Sequence, residues 1–190
     1  MTKQQLGLFE EAPARPSGMA YRADIVTPAE EEALLAELAA LPFEPFQFRG
    51  YEGRRRVCSF GWKYDFTGPG LVAAEPMPAW LHPVRNRAAD LAELAPDAFQ
   101  HVLINEYREG APIGWHRDRP VFEKVVGVSL GAATTMRFRR RIGEKFERIN
   151  VPLPPRSAYL LDGPARGEWE HSLPKARALR YSITFRNLRA

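Results

Sequence analysis

Two histidines and one aspartate stand at positions that could bind a metal ion. His116 and Asp118 are two residues apart in GAPIGWHRDRP, and His171 follows much later in GEWEHSLP. On extended backbone, residues two apart point to the same side of the chain, so both side chains could share one ion with His171. Two imidazoles and one carboxylate leave the opposite face of the ion open, as in non-haem Fe(II) oxygenases, whereas a structural zinc site closes all four positions. The sequence therefore predicts an open Fe(II) site.

Two arginines near the end of the chain could bind a dicarboxylate beside this metal. Arg180 and Arg186 lie six residues apart in RYSITFR, so on a strand they share one face. A guanidinium fork binds a carboxylate through two parallel hydrogen bonds. The alternative is a pair of surface charges on an edge strand. Because an H-x-D triplet arises easily by chance, the arginines are the more informative half of this pattern.

Short strands are expected to position these side chains. From His101 onward the chain has runs rich in Val, Ile, Phe and Tyr, broken by Gly and Pro, with no helix-length segment between them: HVLINEY, KVVGVSL, TTMRFRRR, FERINVPL, SAYLLD and LRYSITFRNL. This pattern predicts an antiparallel sandwich or barrel and excludes repeated βαβ units.

Two helices are predicted ahead of these strands. Thr27 is a suitable N-cap, with Pro28 at the first helical position and Glu30 completing a capping box. The apolar stripe of this helix would be Leu34, Leu35, Leu38 and Leu41. A second helix is expected over about 83 to 94, with Val84, Ala88 and Leu91 buried. The predicted fold class is thus α+β, with helices packed outside a β-sandwich.

Length and composition favour one folded domain. A chain of 190 residues with 45% hydrophobic content can bury one sizeable core. Residues 1–18 contain Pro13, Pro16 and Gly18 with little apolar periodicity, which predicts a mobile tail ahead of a domain over 19–190. Cys58 has no second cysteine to pair with, and the sequence contains neither an apolar run of membrane-spanning length nor a secretory signal, so we expect a cytoplasmic protein.

Positive charge suggests a polyanionic partner. The formal charge is +4 and the pI is about 9.4. Arginines cluster at 54–56 and 137–141, and their planar guanidinium groups suit contacts to phosphate. A solvated strand face is the alternative explanation for these clusters.

The motifs NEY, GWHRD, VSLG, a distal His and RYSITFR, in this order, resemble the AlkB family of nucleic-acid dealkylating dioxygenases, here as a bacterial homologue. The resemblance runs from about Phe60 to Leu188. It implies a double-stranded β-helix, or jelly-roll, core, and oxidative removal of alkyl groups from base nitrogens while 2-oxoglutarate and O₂ are consumed and succinate is formed. It assigns the iron ligands to His116, Asp118 and His171, and the cosubstrate contacts to Asn105, Tyr107, Arg180 and Arg186. For Asn105 and Tyr107, a turn cap and a half-buried aromatic are the alternatives.

The resemblance also suggests where a substrate base would bind. Such a base must leave the helical stack and lie against an aromatic ring. Trp62 in FGWKYDF is the leading candidate, with Tyr64 and Trp115 in reserve, although Trp115 could equally belong to the core. Arg166, five residues before His171, is expected to contact the substrate or to support the metal site. Pro120 stands where the family's bacterial founder has an acidic residue, which leaves the preferred base open.

The N-terminal peptide Gln5-Leu6-Gly7-Leu8-Phe9 resembles the peptide by which bacterial repair proteins bind the sliding clamp, unless it folds back on the domain. The predicted function is therefore DNA repair by a monomeric demethylase, with DNA favoured over RNA and no membrane partner. The same chemistry on RNA, including tRNA, or on protein is the first alternative. The second is a non-enzymatic nucleic-acid-binding module, against which the complete set of site residues counts.

Overall fold

The computed structural model describes residues 14–48, 50–65 and 70–189, and they form thirteen strands and three α-helices. The helices are α1 (Pro28–Ala39), α2 (His82–Ala92) and α3 (Gly163–Gly167), with 3-10 turns at Ala79–Leu81 and Pro96–Ala98. The strands are β1 (Met19–Arg22), β2 (Glu44–Phe48), β3 (Tyr51–Phe60), β4 (Trp62–Asp65), β5 (Gly70–Ala73), β6 (His101–Tyr107), β7 (Ile113–His116), β8 (Phe122–Gly131), β9 (Thr134–Ile142), β10 (Lys145–Leu153), β11 (Ala158–Leu161), β12 (Glu170–Leu173) and β13 (Arg180–Leu188). The N-terminal peptide Gln5–Phe9 lies outside the described residues.

Two antiparallel sheets build the body of the fold. The larger has the order β1-β11-β8-β13-β6-β3-β2, and the smaller has the order β10-β9-β12-β7. Strands β4 and β5 form a separate two-stranded sheet. The prediction of a jelly-roll fold is confirmed, and all six strands predicted from His101 onward are present. Within the described residues, no helix has the length and apolar character needed to span a membrane.

Because side chains alternate along each strand, one face of the large sheet packs against the helices and the other faces the small sheet. One face carries Val102, Ile104, Val126, Val128, Ile183 and Phe185, which form a core cluster with Leu34 and Leu38 of α1 and Val84 and Ala88 of α2. The other face carries Tyr107, Val125 and Tyr159, which pack toward Met136, Phe138 and Val151 of the small sheet. The space between the two sheets is therefore a second core, and the polar residues described below lie at this inner face.

Helix α1 begins with the predicted capping box. The hydroxyl of Thr27 accepts a hydrogen bond from the backbone N–H of Glu30 at 3.2 Å, and the Glu30 carboxylate accepts one from the N–H of Thr27 at 2.7 Å. Arg87 of α2 also donates to Glu30, and this bond, with those from Thr27, lowers the pKa of Glu30 to about 2. Of the four predicted apolar positions, Leu34 and Leu38 are buried and Leu35 and Leu41 are half-buried. The cap thus joins the two helices as well as starting one.

Replacing Thr27 with alanine is expected to lower the free energy of unfolding by about 1 kcal/mol, the usual effect of losing an N-cap hydroxyl. Urea denaturation measures this difference. Thr27→Ser keeps the hydroxyl and should retain most of the stability. Equal losses in the two variants would show that the methyl group, and not the cap, is what matters.

Candidate active site

The inner face of the large sheet gathers polar side chains from three neighbouring strands. On β13, Arg180, Ser182 and Arg186 all point toward the small sheet because they are separated by even numbers of residues. Tyr107 pairs with Arg180 across the β6–β13 ladder, and Asn105 pairs with Ser182. Burying arginines and amides between two sheets costs free energy unless they form hydrogen bonds or ion pairs, which a bound ligand can supply.

The predicted metal ligands come together on the facing small sheet. Strands β7 and β12 pair so that His116 lies directly opposite His171, with 4.3 Å between their ring centroids. Asp118 follows two residues after β7 ends, and its Oδ2 lies 3.8 Å from Nε2 of His171. Two atoms bound to one ion at about 2.1 Å each can stand no more than about 4.2 Å apart, so this pair can share a metal.

Arg186 holds the Asp118 carboxylate in place. Its Nη2 and Nε donate to Oδ1 of Asp118 at 2.7 and 3.1 Å. Burial alone would raise the pKa of this carboxyl group, but the positive charge of Arg186 holds the pKa well below its usual range. Asp118 is therefore ionised, as a metal ligand must be.

Both histidines are neutral near pH 7. Burial lowers the pKa of His171 to about 3, with a further contribution from His116, and burial also lowers the pKa of His116. Nδ1 of His116 lies 2.8 Å from the carbonyl oxygen of Gly114 and must carry the hydrogen of that bond, because a carbonyl only accepts. Nε2 of His116 is then left with its lone pair.

These donors fit the open iron site in type and charge. Among the described residues, no three His, Cys, Asp or Glu side chains stand close enough together to hold a metal ion as they are placed. One oxygen of Asp118 is bonded to Arg186, so the carboxylate would have to offer Oδ2 to an ion. The set is two neutral imidazoles and one carboxylate, which is the combination that non-haem Fe(II) oxygenases use.

Arg180 fits the carboxylate of a cosubstrate. Its side chain is buried, with 2% of its surface exposed, and its Nη2 donates to Oγ of Ser129 at 3.1 Å. Its Nε and Nη1 have no hydrogen-bond partner, although the ring of Tyr107 lies beneath the guanidinium at 5.0 Å. Unpaired buried donors of this kind are rare in native proteins, and a carboxylate could accept a hydrogen bond from either of them.

Asn105 is the second residue with unused hydrogen-bonding capacity at this face. It is buried, its Nδ2 lies 3.4 Å from Oγ of Ser182, and its Oδ1 has no partner. The amide can present either its oxygen or its nitrogen to a ligand by rotating about its last bond. The structure therefore brings Asn105, Tyr107 and Arg180 together beside the Arg186–Asp118 pair.

Ser129 and Tyr159 also belong to this face, and the sequence analysis did not single them out. Ser129 lies within the VSLG motif and bonds Arg180. The ring of Tyr159 packs on Gly127, where an added Cβ atom would stand 2.3 Å from the ring. Burial raises the pKa of Tyr159, while Arg180 opposes that shift. Tyr159 enters the site because β11 pairs with β8, which local sequence does not reveal.

The arginine cluster at 54–56 is not one phosphate-binding patch. Arg56 forms a bidentate ion pair with Glu106, at 2.7 and 2.8 Å, on the helix side of the sheet. Arg55 is on the opposite face, where its guanidinium lies 3.6 Å from the ring centroid of Phe46. Burial lowers the pKa of Arg55, and Tyr107, Arg186 and Asp118 are close enough to influence it. Alternation along β3 thus separates neighbouring arginines, and only Arg54 is exposed.

Arg166 supports the loop that carries Asp118. It is buried, and its Nη2 donates to the backbone carbonyls of Arg119 and Phe122, the latter at 2.9 Å. Arg119 lies in the segment between β7 and β8, and Phe122 is the first residue of β8. Of the two roles expected for Arg166, these bonds favour support of the metal site over direct contact with a substrate.

The residues proposed for base stacking are less closely tied to the site. Trp62 begins β4 and is half-buried, and the side chain of Tyr64 lies outside the described part of the chain. Trp115 points to the outer face of the small sheet, where Arg139 lies 4.4 Å from its ring centroid. Trp115 is therefore neither in the core between the sheets nor on the metal side of β7. His101 is buried and stacks on Phe122, with 4.8 Å between the ring centroids.

Comparisons with known proteins agree with this geometry. The model of the 2OG-Fe(II) oxygenase superfamily matches residues 18–186. The chain is 33% identical over 143 residues to human "DNA oxidative demethylase ALKBH2", covering 67% of this chain and 53% of that protein. It is 29% identical over 148 residues to "Probable RNA/DNA demethylase ALKBH6" of Danio rerio, covering 77% and 59%. The solved structure of OsALKBH1 superposes with a TM-score of 0.69 at 16% identity, over 93% of this chain and 100% of that chain, and so supports the fold.

A jelly roll with two histidines and an aspartate facing a pair of inward arginines defines a class of oxygenase that uses Fe(II), 2-oxoglutarate and O₂. The chain spans between half and three-fifths of the two vertebrate relatives. It belongs to the 2OG-Fe(II) oxygenase superfamily and, within it, to the AlkB family.

Proposed function

We propose that this protein removes alkyl groups, methyl above all, from ring nitrogens of nucleic-acid bases, with DNA as the favoured substrate. The observation that carries the proposal is the buried guanidinium of Arg180, with two unpaired N–H groups on the same inner face as the paired Asp118 and Arg186. Such a guanidinium is suited to the distal carboxylate of 2-oxoglutarate. Together with the donors His116, Asp118 and His171, it supports oxidative chemistry over simple binding.

Each residue has a definable task in this reaction. When bound, Fe(II) and 2-oxoglutarate would direct one atom of O₂ into succinate, with release of CO₂, and the other into a C–H bond of the alkyl group, which then leaves as an aldehyde. Arg180, with Tyr107 and Asn105, would bind and orient the cosubstrate. Arg186 keeps Asp118 ionised and oriented, and the Gly114 carbonyl keeps the ligating nitrogen of His116 unprotonated. The apolar side chains Phe138 and Trp169 limit access of water from the core side.

A nucleic-acid substrate is supported by the relatives and by the basic surface. The human relative is named as a DNA oxidative demethylase, and the Danio rerio relative as a probable RNA/DNA demethylase. The net charge of +4 favours a polyanion. RNA is therefore the alternative substrate, and Trp62 is the proposed stacking residue for the extruded base.

The test is a turnover assay with matched substrates. Purified protein with Fe(II), 2-oxoglutarate and O₂ is given methylated DNA in single- and double-stranded form, and RNA of the same sequence. Succinate, formaldehyde and restored bases should appear in equal amounts, with DNA turned over faster than RNA. Unmethylated oligonucleotides control for cosubstrate consumption without repair. Absence of base restoration on every nucleic acid would refute the proposal.

Three further parts of the proposal concern partners and location. We infer a monomeric protein that acts in the cytoplasm and binds a sliding clamp through Gln5–Phe9. The support for clamp binding is the sequence QLGLF alone.

A further inference from the structure

The small sheet has an outer face that the proposed reaction does not use. On its inner face, Phe138 is fully buried and lies 6.1 Å from the ring of His171. Because successive residues of a strand alternate, Arg137, Arg139 and Arg141 of β9 point the other way. Within the arginine cluster at 137–141, the odd-numbered residues therefore lie on the outer face of the sheet.

Aromatic rings lie between these arginines. Arg139 stands over two rings, with its guanidinium 4.4 Å from the centroid of Trp115 and 4.8 Å from that of Phe146. Arg137 approaches Trp115 at 5.5 Å, and Arg148 approaches Phe146 at 5.5 Å. We call this surface the arginine–aromatic face, and it consists of Trp115, Arg137, Arg139, Arg141, Phe146 and Arg148.

The arginine–aromatic face is both charged and held in position. Glu170 and Ser172 of β12 accept hydrogen bonds from Nε of Arg139 at 2.7 Å and from Nε of Arg137 at 3.1 Å. Across these four strands, which the structure describes in full, the register makes Glu170 the one carboxylate on the outward side. Each guanidinium has five N–H donors, so bonding through Nε leaves donors for another partner. The face carries a net positive charge in a fixed arrangement.

The position of this face relative to the metal ligands indicates what it could bind. Strand β7 is the edge of the small sheet, and its neighbouring residues Trp115 and His116 point to opposite sides. A polymer that crosses this edge passes from the metal side to the arginine–aromatic face within the thickness of one sheet. A nucleic acid whose reacting base lies at the metal must continue past the site, whereas a small substrate need not.

We propose that the arginine–aromatic face binds the single strand of nucleic acid that continues from the base being oxidised. This inference rests on the proposed function, since it names the surface that would hold the same substrate. Guanidinium groups bind phosphates, and bases stack on aromatic rings and on guanidinium planes. Phe146 remains 39% exposed despite its arginine neighbours, so part of its ring is available to a base.

The test compares binding of unmethylated single strands of about 15 and about 3 nucleotides, lengths that do and do not reach beyond one subsite. Arg141→Gln/Arg148→Gln should weaken binding of the long strand about tenfold and reduce its salt dependence by about 0.7 per arginine, with a much smaller change for the short strand. The matched control, Arg22→Gln/Arg177→Gln, removes the same charge from exposed positions outside the face. Equal weakening in both double variants would overturn the proposal.

Stacking is tested separately from charge. Phe146→Leu removes the ring and should weaken long-strand binding about tenfold. Ile142→Ser, which removes an exposed apolar side chain from the same hairpin, should not. An acidic peptide of equal charge that competes as well as the oligonucleotide would overturn the assignment to nucleic acid. Turnover of a short methylated oligonucleotide by the unaltered protein reports on the proposed function alone, so the two proposals can fail independently.

Discussion

Alanine in place of His116 is expected to abolish iron binding and turnover together. The proposed metal-binding atom of His116 is Nε2, because Nδ1 is bonded to the Gly114 carbonyl, and the ring of His116 stands 4.3 Å from that of His171 between centroids. Removing a residue that only hydrogen-bonds to a metal ligand lowers metal affinity about 10- to 100-fold. Removing a ligand itself should therefore lower the affinity by more than about 100-fold. Anaerobic equilibrium dialysis with Fe(II) measures binding, and succinate formation measures turnover.

The control for this variant is His82→Ala, which removes a histidine from α2. It should bind one Fe(II) per chain with the affinity of the unaltered protein. Normal iron affinity in His116→Ala would show that the metal assignment is wrong. Retained iron with lost turnover would also contradict it, because a ligand affects both.

Alanine in place of Arg180 is expected to raise the 2-oxoglutarate concentration needed for half-maximal turnover by about 100-fold, while iron stays bound. Each charge-assisted hydrogen bond contributes about 1.5–3 kcal/mol, and a carboxylate that accepts from the unpaired Nε or Nη1 can accept a second bond from Nη2 on the same edge. Arg180 donates a hydrogen bond to Ser129 and contacts the ring of Tyr107. None of the described hydrogen bonds joins it to the three proposed metal ligands. The effect should therefore fall on the cosubstrate.

Arg180→Lys separates charge from shape. A lysine keeps the positive charge but lacks the planar fork. The 2-oxoglutarate concentration that Arg180→Lys needs should therefore lie between that of the unaltered protein and that of Arg180→Ala. Iron titration in parallel shows whether the fold around the metal survives. An unchanged 2-oxoglutarate requirement in Arg180→Ala would refute the assigned role.

Local spacing made the chemistry predictable from sequence. His116 with Asp118, and Arg180 with Arg186, are separated by even numbers of residues, and alternation on extended backbone places each pair on one side whatever the rest of the fold does. The capping box of α1 is similarly local, because Thr27 and Glu30 satisfy each other within one turn. These features needed no knowledge of the sheet order.

Non-local pairing accounts for what the sequence did not reveal. Arg56 meets Glu106, fifty residues away, only because β3 pairs with β6, and the same pairing turns Arg55 to the opposite face. The run RRR in β3 also masks strand alternation, which is why the strands between 44 and 73 were not predicted. Tyr159 joins the site through the pairing of β11 with β8. In each case the sequence shows the residue type, but strand pairing decides which residues contact it.

The two-sided character of β13 has a consequence for how this protein can change. Ile183 and Phe185 pack toward the helices, while Arg180 and Arg186 face the opposite side. Substitutions can therefore alter stability or chemistry separately. Insertion or deletion of a single residue within β13 would exchange the two sets, placing guanidinium groups in the helix-side core and apolar side chains at the inner face. Strand β13 should thus tolerate single substitutions but not the insertion or deletion of a residue.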